Sequence, residues 1–339
     1  MNNSLRRIII NARVGGAYLF SDGIARVGRK MLGLGHPFVR HINEKQTARL
    51  RSWFLREFTP VLRRWQDMSE TARPFRNPDE AVIWTVWLQG ADEMPEDCRM
   101  YIDSVRKHNP NRPLEIVDLA TVRQYVDIPE FILHRYEAGT VNAALLTDYI
   151  KFALLERYGG IWVDATVYQL RLAGEDILEY PMWSVKNLEP FPYDALIPDG
   201  RQWQAYFMAA QPHALFCKAM LDLLEDYMRR YETLVNYFAS YYLASIARDI
   251  PAVSQSYKRV PSNNTKCEQL MIMVDQQVAL NEEAVRKQLW AEDTWIYKGS
   301  RHLDERQRDK CRELLRLLSA CDAMKSGYEA SSDVEGDVR

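Results

Sequence analysis

Covalent cross-linking has little to work with in this chain. Its five cysteines, Cys98, Cys217, Cys267, Cys311 and Cys321, are scattered over 339 residues with no C-x-x-C pair. An odd count at wide spacing excludes a disulfide framework and a cysteine-built zinc site, and points to a reducing compartment, the cytoplasm. Long apolar runs are missing too. None approaches the roughly 18 to 20 residues that cross a bilayer, and the Ile8-Ile9-Ile10 cluster meets Asn11 and Arg13 too soon to form a signal-peptide core. Net charge is nearly absent: 44 Lys and Arg against 46 Asp and Glu leave −2, which gives the whole chain no bias toward nucleic acid or an acidic partner. Gly33-Leu34-Gly35 is no nucleotide loop, because no strand precedes it and Pro37 interrupts the residues after it.

What remains is a globular composition, 47% hydrophobic and 27% charged, of a length that suits one large α/β domain with appendages or two small domains. The charge is unevenly placed. Residues 1–51 carry ten Lys and Arg against two acids, Asp22 and Glu44. Apolar groups including Ile8, Ile24, Val27 and Met31 recur among these basic residues at helical spacing. The pattern has two readings: an interfacial segment on an anionic membrane surface, or helices packed on the rest of the chain with a solvated basic face. Helical periodicity continues through Trp53, Phe54, Phe58, Val61, Leu62 and Trp65, and Pro74 and Pro78 place a boundary near residue 76.

Beyond it, residues 81–88 read as a strand, 96–108 as a helix and 114–119 as a second strand, a crossover unit of a mainly parallel sheet. Residues 129–136 read as a short helix, 182–185 as a strand and 187–201 as a long loop. Residues 215–245 read as one continuous helix, 303–323 as a charged terminal helix, and 331–339 as a polar disordered tail.

The densest signal runs from Asn142 to Leu170. Leu146, Ile150, Ala153 and Leu154 recur at helical spacing. Gly159-Gly160 stop the helix, since glycine accepts the left-handed conformation past a last turn. Ile161-Trp162-Val163 read as a short buried strand. Asp164 falls where that strand ends, the usual ligand crevice of an α/β sheet, with Ala165 and Thr166 next. Inside the helix, Asp148 and Lys151 are three apart and share a face. Among Leu145, Leu146, Tyr149 and Phe152 the pair is expected to be buried, where a carboxylate needs a partner such as a substrate hydroxyl or a cation. The alternative is an ordinary surface ion pair.

The run D-x-x-K-x-x-x-L-x-x-Y-G-G-I-W-x-D-x-T, from Asp148 to Thr166, resembles the sugar-nucleotide signature of glycosyltransferase family 32. Asp164-Ala165-Thr166 looks like the capsular polysaccharide synthesis branch of that family. The resemblance implies a GT-A-like fold: a Rossmann-type mixed α/β sheet flanked by helices, with a helical N-terminal extension and a helical C-terminal part. On this reading residues 1–75 are the basic extension, 76–300 the transferase domain, and 301–339 a charged helix and tail.

The same resemblance assigns roles. Ile83-Trp84-x-x-Trp87-x-Gln89-Gly90 is similar to the family's first strand, which implies that Trp87 stacks on the donor base and that Gln89 and Gly90 sit in the adjoining loop; the alternative is that both tryptophans are core, which is the expectation for Trp84. Gly159 and Gly160 are implied donor-side residues of the signature. Asp164 would contact ribose and sugar hydroxyls and help place a divalent cation, Mn or Mg, to meet negative charge on the leaving phosphate. Asp148 would bind hydroxyls of the transferred sugar, with Lys151 orienting it or meeting phosphate. Trp203 and His213 lie in a stretch that resembles the acceptor side; His213, alone beside Pro212, otherwise reads as a satisfied turn residue. Trp295-Ile296-Tyr297-Lys298 resembles the family's closing segment, with Lys298 facing donor phosphates and Arg301 and His302 as nearby alternatives.

The implied activity is transfer of a sugar from a nucleoside diphosphate sugar, UDP-linked by expectation, to a glycan or lipid-linked acceptor in bacterial surface polysaccharide synthesis, with retention of anomeric configuration. The expected place is the cytoplasm, peripheral on the cytoplasmic face of the inner membrane if the basic segment binds lipid. Two departures bear on it. Thr166 stands where many such enzymes have a second, metal-binding acid, and Lys151 stands where arginine is common and cannot make its two-pronged contact. A non-catalytic nucleotide-sugar binder of the same pathway and a phosphosugar transferase or nucleotidyltransferase are the competing classes.

Overall fold

Short runs of three or four residues make the strands of this chain, β-branched and aromatic above all in Ile83–Val86 and Gly160–Val163. The computed structural model describes residues 12, 14–191, 193–276 and 280–335. Along the chain, α1 (Gly16–Leu32) and α2 (Pro37–Trp65) precede β1 (Ile83–Val86), and α3 (Glu96–His108) comes before β2 (Leu114–Val117). Then α4 (Val122–Tyr125), α5 (Glu130–Glu137) and α6 (Ala143–Tyr158) lead into β3 (Gly160–Val163) and β4 (Val167–Gln169). β5 (Met182–Ser184) and β6 (Phe207–Ala210) are succeeded by α7 (Leu215–Arg230), α8 (Ala239–Ala247) and α9 (Pro251–Tyr257). Last come α10 (Gln269–Asp275), α11 (Glu282–Gln288), β7 (Ile296–Lys298) and α12 (Glu305–Glu335). The Ile8–Ile10 cluster and residues 336–339 of the expected tail lie outside the described residues.

Two compact units divide these elements. The first holds Met1–Asp92, Arg112–Val163 and Glu175–Pro261; the second holds Glu93–Asn111, Asp164–Gly174 and Ser262–Arg339.

The first unit is built on a five-stranded sheet of order β2-β1-β3-β6-β5. β1 pairs in parallel with β2 and β3, and β6 runs antiparallel to both β3 and β5. This is the expected mixed sheet. Every residue of β1, β3, β5 and β6 is buried, and only the edge strand β2 is partly open. Strands covered on both faces explain why the sequence shows apolar runs there rather than alternation. α6 packs against β1, β3 and β6, α9 against β5, and α2 against α7 and α8. At the α2 contact the Phe54 ring stacks 5.2 Å from Tyr242 and 5.7 Å from Phe58.

Two glycines let α6 turn straight into β3. Gly159 has φ 64° and Gly160 φ 104°, values that side chains with a Cβ rarely adopt. A Cβ on Gly159 would stand 2.7 Å from the carbonyl oxygen of Ala210, and one on Gly160 would stand 2.3 Å from that of Val82. Trp84 locks the junction by donating its indole N–H to the Gly159 carbonyl at 2.9 Å.

The single helix expected over 215–245 is broken. α7 ends at Arg230 and α8 starts at Ala239. The buried Tyr227 hydroxyl donates to the Thr233 carbonyl at 3.0 Å and accepts from the Val235 N–H at 2.9 Å, which folds the intervening chain back on the helix end. The Asn236 side chain then accepts from the Phe238 N–H at 2.8 Å, a local side-chain bond that competes with helix continuation.

In the second unit β4 pairs antiparallel with β7, α3 packs on β4, and α10 and α11 pack on α12. α3, which the sequence places between two parallel strands, thus has its strand contact in this unit. Tyr101, Leu270, Met273, Leu289, Tyr297, Leu314 and Leu318 form its buried core. Asp97 of α3 ties α12 through Arg308 at 2.7 Å and Arg312 at 3.1 Å.

Candidate functional site

The second unit gathers three of the sequence-picked residues. Antiparallel pairing sets Val167 opposite Lys298, and the Gly299 N–H donates to the Thr166 carbonyl at 2.8 Å, which extends the ladder to the start of β4. From that register the Lys298 ammonium reaches Oδ2 of Asp164 at 3.1 Å and Oγ1 of Thr166 at 2.6 Å. Asp164 comes directly after the last residue of β3, and its carbonyl accepts from the Val167 N–H at 3.0 Å, a tight turn that fixes its backbone. The side chains of Lys298 and Asp164 keep 27% and 33% exposure. A carboxylate, a hydroxyl and an ammonium thus stand together at the surface, held by strand pairing but open to a ligand.

Arg301 and His302 bond each other, Arg301 Nε to His302 Nε2 at 3.1 Å, on the exposed turn after β7. Gly299 allows that turn to pass close to α3: a Cβ there would stand 2.4 Å from the Tyr101 hydroxyl.

The first unit holds the Asp148–Lys151 pair, and it is no surface ion pair. Lys151 is 2% exposed. Its ammonium lies 2.8 Å from Oδ1 of Asp148 and 4.9 Å from the Trp162 ring centroid, over the aromatic face. Asp148 keeps 18% side-chain exposure, and its second oxygen accepts from the Ser240 hydroxyl at the start of α8. Both oxygens are engaged and the charge is neutralised in place, which suits Lys151 to orienting the carboxylate. Sequence reasoning missed Ser240. It lies 92 residues from Asp148, and only the break after α7 brings the first turn of α8 to it.

Trp87, Gln89 and Gly90 form the turn that leaves β1. The Trp87 N–H donates to the Val117 carbonyl, and the Gly90 N–H donates back to the Trp87 carbonyl, each at 2.9 Å. Gly90 takes φ 97°, Gln89 is exposed and Trp87 half-buried, whereas Trp84 is 2% exposed and belongs to the core. Beside this turn, Asp118 at the end of β2 accepts from the N–H groups of Ala120 and Thr121 and from the Thr121 hydroxyl, and these bonds hold its carboxyl below the ordinary range.

His213 and Trp203 are placed differently from an open cleft wall. His213 has φ 63°, its Nδ1 lies 3.0 Å from Glu156 Oε1, its N–H donates to the Glu156 carbonyl and its own carbonyl accepts from the Thr71 hydroxyl. It works as a turn residue between β6 and α7. Trp203 is 2% exposed and packs edge-on to Tyr241 at 5.1 Å and to Phe216 at 6.0 Å.

A divalent cation finds a thin donor set. Among the described residues no three His, Cys, Asp or Glu side chains stand close enough to hold a metal. Beside Asp164 stands the neutral Thr166 hydroxyl, and the Lys298 ammonium bonds both Asp164 Oδ2 and Thr166 Oγ1. A hard cation prefers several oxygen ligands, and here it would have to displace a positive charge. As arranged, Asp164 offers a cation one carboxylate, whose Oδ2 is bonded to the Lys298 ammonium.

The family model described as "Capsular polysaccharide synthesis protein" matches residues 38–315. Among solved structures the chain is similar to a PaToxG glycosyltransferase at 16% identity, over 83% of this chain and 97% of that one, with a TM-score of 0.38. No curated protein matches it.

Proposed function

Because the chain belongs to the capsular polysaccharide synthesis protein family, we propose that it is a glycosyltransferase of surface polysaccharide synthesis that takes its sugar from a nucleoside diphosphate sugar. The observation that carries this reading is the Asp164–Thr166–Lys298 cluster, a carboxylate, hydroxyl and ammonium bonded together and still about one-third open. Sugar donors present hydroxyls next to a diphosphate. A carboxylate accepts from hydroxyls, and an ammonium meets the phosphate charge.

In the reaction the bond from the anomeric carbon to the diphosphate oxygen breaks, and the electron pair leaves with the diphosphate. A bond forms to an acceptor hydroxyl, which gives up its proton. Charge develops on the departing oxygen, so a fixed cation aimed at it lowers the barrier. Lys298 takes that role, released toward the phosphate as the donor's hydroxyls occupy Asp164. Thr166, bonded to the same ammonium, keeps it on station. Assignment to family 32, a GT-A donor site, a glycan or lipid-linked acceptor and retention of configuration belong to this reading through the sequence signature from Asp148 to Thr166.

Donor hydrolysis tests it. The full chain is incubated with a panel of nucleoside diphosphate sugars, UDP-sugars first, and the released nucleotide is identified. The expected result is slow release of nucleoside diphosphate that Asp164→Ala abolishes. Binding without release would make the protein a nucleotide-sugar carrier, and release of monophosphate or pyrophosphate would make it a phosphosugar transferase or nucleotidyltransferase; either result overturns the proposal.

A further inference from the structure

Among the described side chains of α1, apolar residues fall on two faces, one buried and one exposed. Tyr18 and Ala25 are buried at 4% and 0% exposure. Gly28, one turn on, brings the helix so near α2 that a Cβ would lie 3.2 Å from Val39 Cγ2. The outer face is apolar as well. Ile24, Val27 and Met31, spaced three and four apart and so aligned on one stripe, are 38%, 59% and 76% exposed, and Leu32 and Phe38, next along the chain, are 49% and 53% exposed. Of the thirteen large apolar side chains exposed among the described residues, these five fall within residues 24–38. Scattered exposed apolar groups are ordinary, but a contiguous patch marks a binding surface.

Charge names the occupant. Residues 16–38, from α1 into the start of α2, contain Arg26, Arg29 and Lys30 against one acid, Asp22. At 100° per residue Arg26 and Lys30 lie along one flank of the apolar stripe, and both are exposed. An apolar stripe edged by basic side chains is the pattern of a helix lying in the headgroup layer of an anionic bilayer. A second copy of this chain would bring like charges together across a two-fold axis. No helix among the described residues is long and apolar enough to cross a membrane.

We propose that the outer face of α1, with Ile24, Val27 and Met31 as its apolar contact and Arg26 and Lys30 as its charged edge, docks the protein on an anionic lipid surface. The inference is independent of the donor chemistry above. It would hold the first unit at the interface whatever the reaction.

Vesicle co-sedimentation of the full chain tests it. Phosphatidylcholine vesicles with about one third phosphatidylglycerol, a composition chosen for its negative surface potential, are compared with pure phosphatidylcholine. Binding is expected to the anionic vesicles, to weaken as salt rises, and to fall at least about tenfold in Val27→Ser/Met31→Ser and in Arg26→Glu/Lys30→Glu. Both pairs are exposed, so far-UV circular dichroism and the melting temperature should match the parent, which separates lost docking from lost folding. Absence of binding to anionic vesicles at low salt overturns the proposal, as does binding that both double variants retain. So does a parent chain that sediments as a dimer and becomes monomeric in Val27→Ser/Met31→Ser without binding lipid, which would give the face to a second copy.

Discussion

The ammonium of Lys298 sits 3.1 Å from the Asp164 carboxylate across 134 residues of sequence. β-Pairing makes that reach possible, because Val167 and Lys298 are register partners and Asp164 stands three residues before Val167. Removing either member is expected to lower donor turnover by about 100-fold or more, the usual loss when one charge-stabilising group leaves a transition state. Stability should change little, since a pair this open contributes about 0–1 kcal/mol. Nucleoside diphosphate release by Lys298→Ala and Asp164→Asn, with urea melts alongside, measures both. Turnover within a few-fold of the parent would remove the cluster from the chemistry.

Donor binding should not need a divalent cation, because the Lys298 ammonium already neutralises Asp164 through its bond to Oδ2. Thermal shift with a nucleotide sugar is expected to be equal in EDTA and in manganese, since bound ligand stabilises the native state by its own saturation. A shift that appears only with manganese would mean that the cation displaces Lys298.

Lys151 is 2% exposed and bonded to Asp148. Leaving one buried charge without its partner costs about 3–5 kcal/mol, so Lys151→Ala should destabilise the chain by that amount. Replacing both residues with apolar side chains of like volume should cost less than the single change. Chemical denaturation of the three variants decides, and a Lys151→Ala loss below about 1 kcal/mol would show the pair to be hydrated after all.

Alanine at Gly159 or Gly160 meets backbone atoms at 2.7 and 2.3 Å, whereas at Gly139, with a similar positive φ of 66°, a Cβ meets nothing within 4 Å. Gly139→Ala should therefore lose only the backbone term of about 1–2 kcal/mol. The other two must shift β3 against its neighbours and should fold poorly or melt far lower. Equal melting points for the three variants would contradict the close approach.

Burial holds several acids protonated. Tyr101, Tyr149, Tyr227, Tyr242 and Tyr297 are pushed well above the ordinary 10.0, Tyr257 is pushed up to about 12, and Cys98, Cys217, Cys311 and Cys321 are raised from 9.0, in each case by desolvation first. A raised folded value means that the unfolded chain deprotonates first. This contribution to stability is whole below about pH 9 and is lost as pH rises through the folded values. Melting temperature should be level near neutrality and fall steeply above about pH 10. A thiol probe should label the native chain slowly and all five cysteines, buried in the fold, once urea is added. Rapid native labelling would contradict this packing.

Much of the fold could be read locally. The helix over Glu96–His108 has the expected bounds, β1, β2 and β5 lie inside the expected runs, and β3 covers Ile161–Val163 with Gly160 added at its start, because buried strands such as β1, β3 and β5 show as unbroken apolar segments. The break after Arg230 could not be read. Residues 231–238 contain neither Gly nor Pro, and the turn is made by the Tyr227 hydroxyl, which carries no breaker signal in sequence. Trp203 shows a related limit: an indole in a motif looks the same in sequence whether it lines a cleft or packs inside, and only the fold gives its 2% exposure.

By itself the sequence determined which side chains are chemically active and how they are spaced along one continuous run: Asp148 and Lys151 on a shared helix face, two glycines, a strand, then Asp164 and Thr166. Helical and strand periodicities are set by neighbouring residues, so they survive in a one-dimensional reading. Only the tertiary structure decided what neutralises those carboxylates. Ser240 reaches Asp148 and Lys298 reaches Asp164 through a helix break and a strand register formed far along the chain, and Coulomb and hydrogen-bond energies depend on separations through space that no sequence spacing encodes.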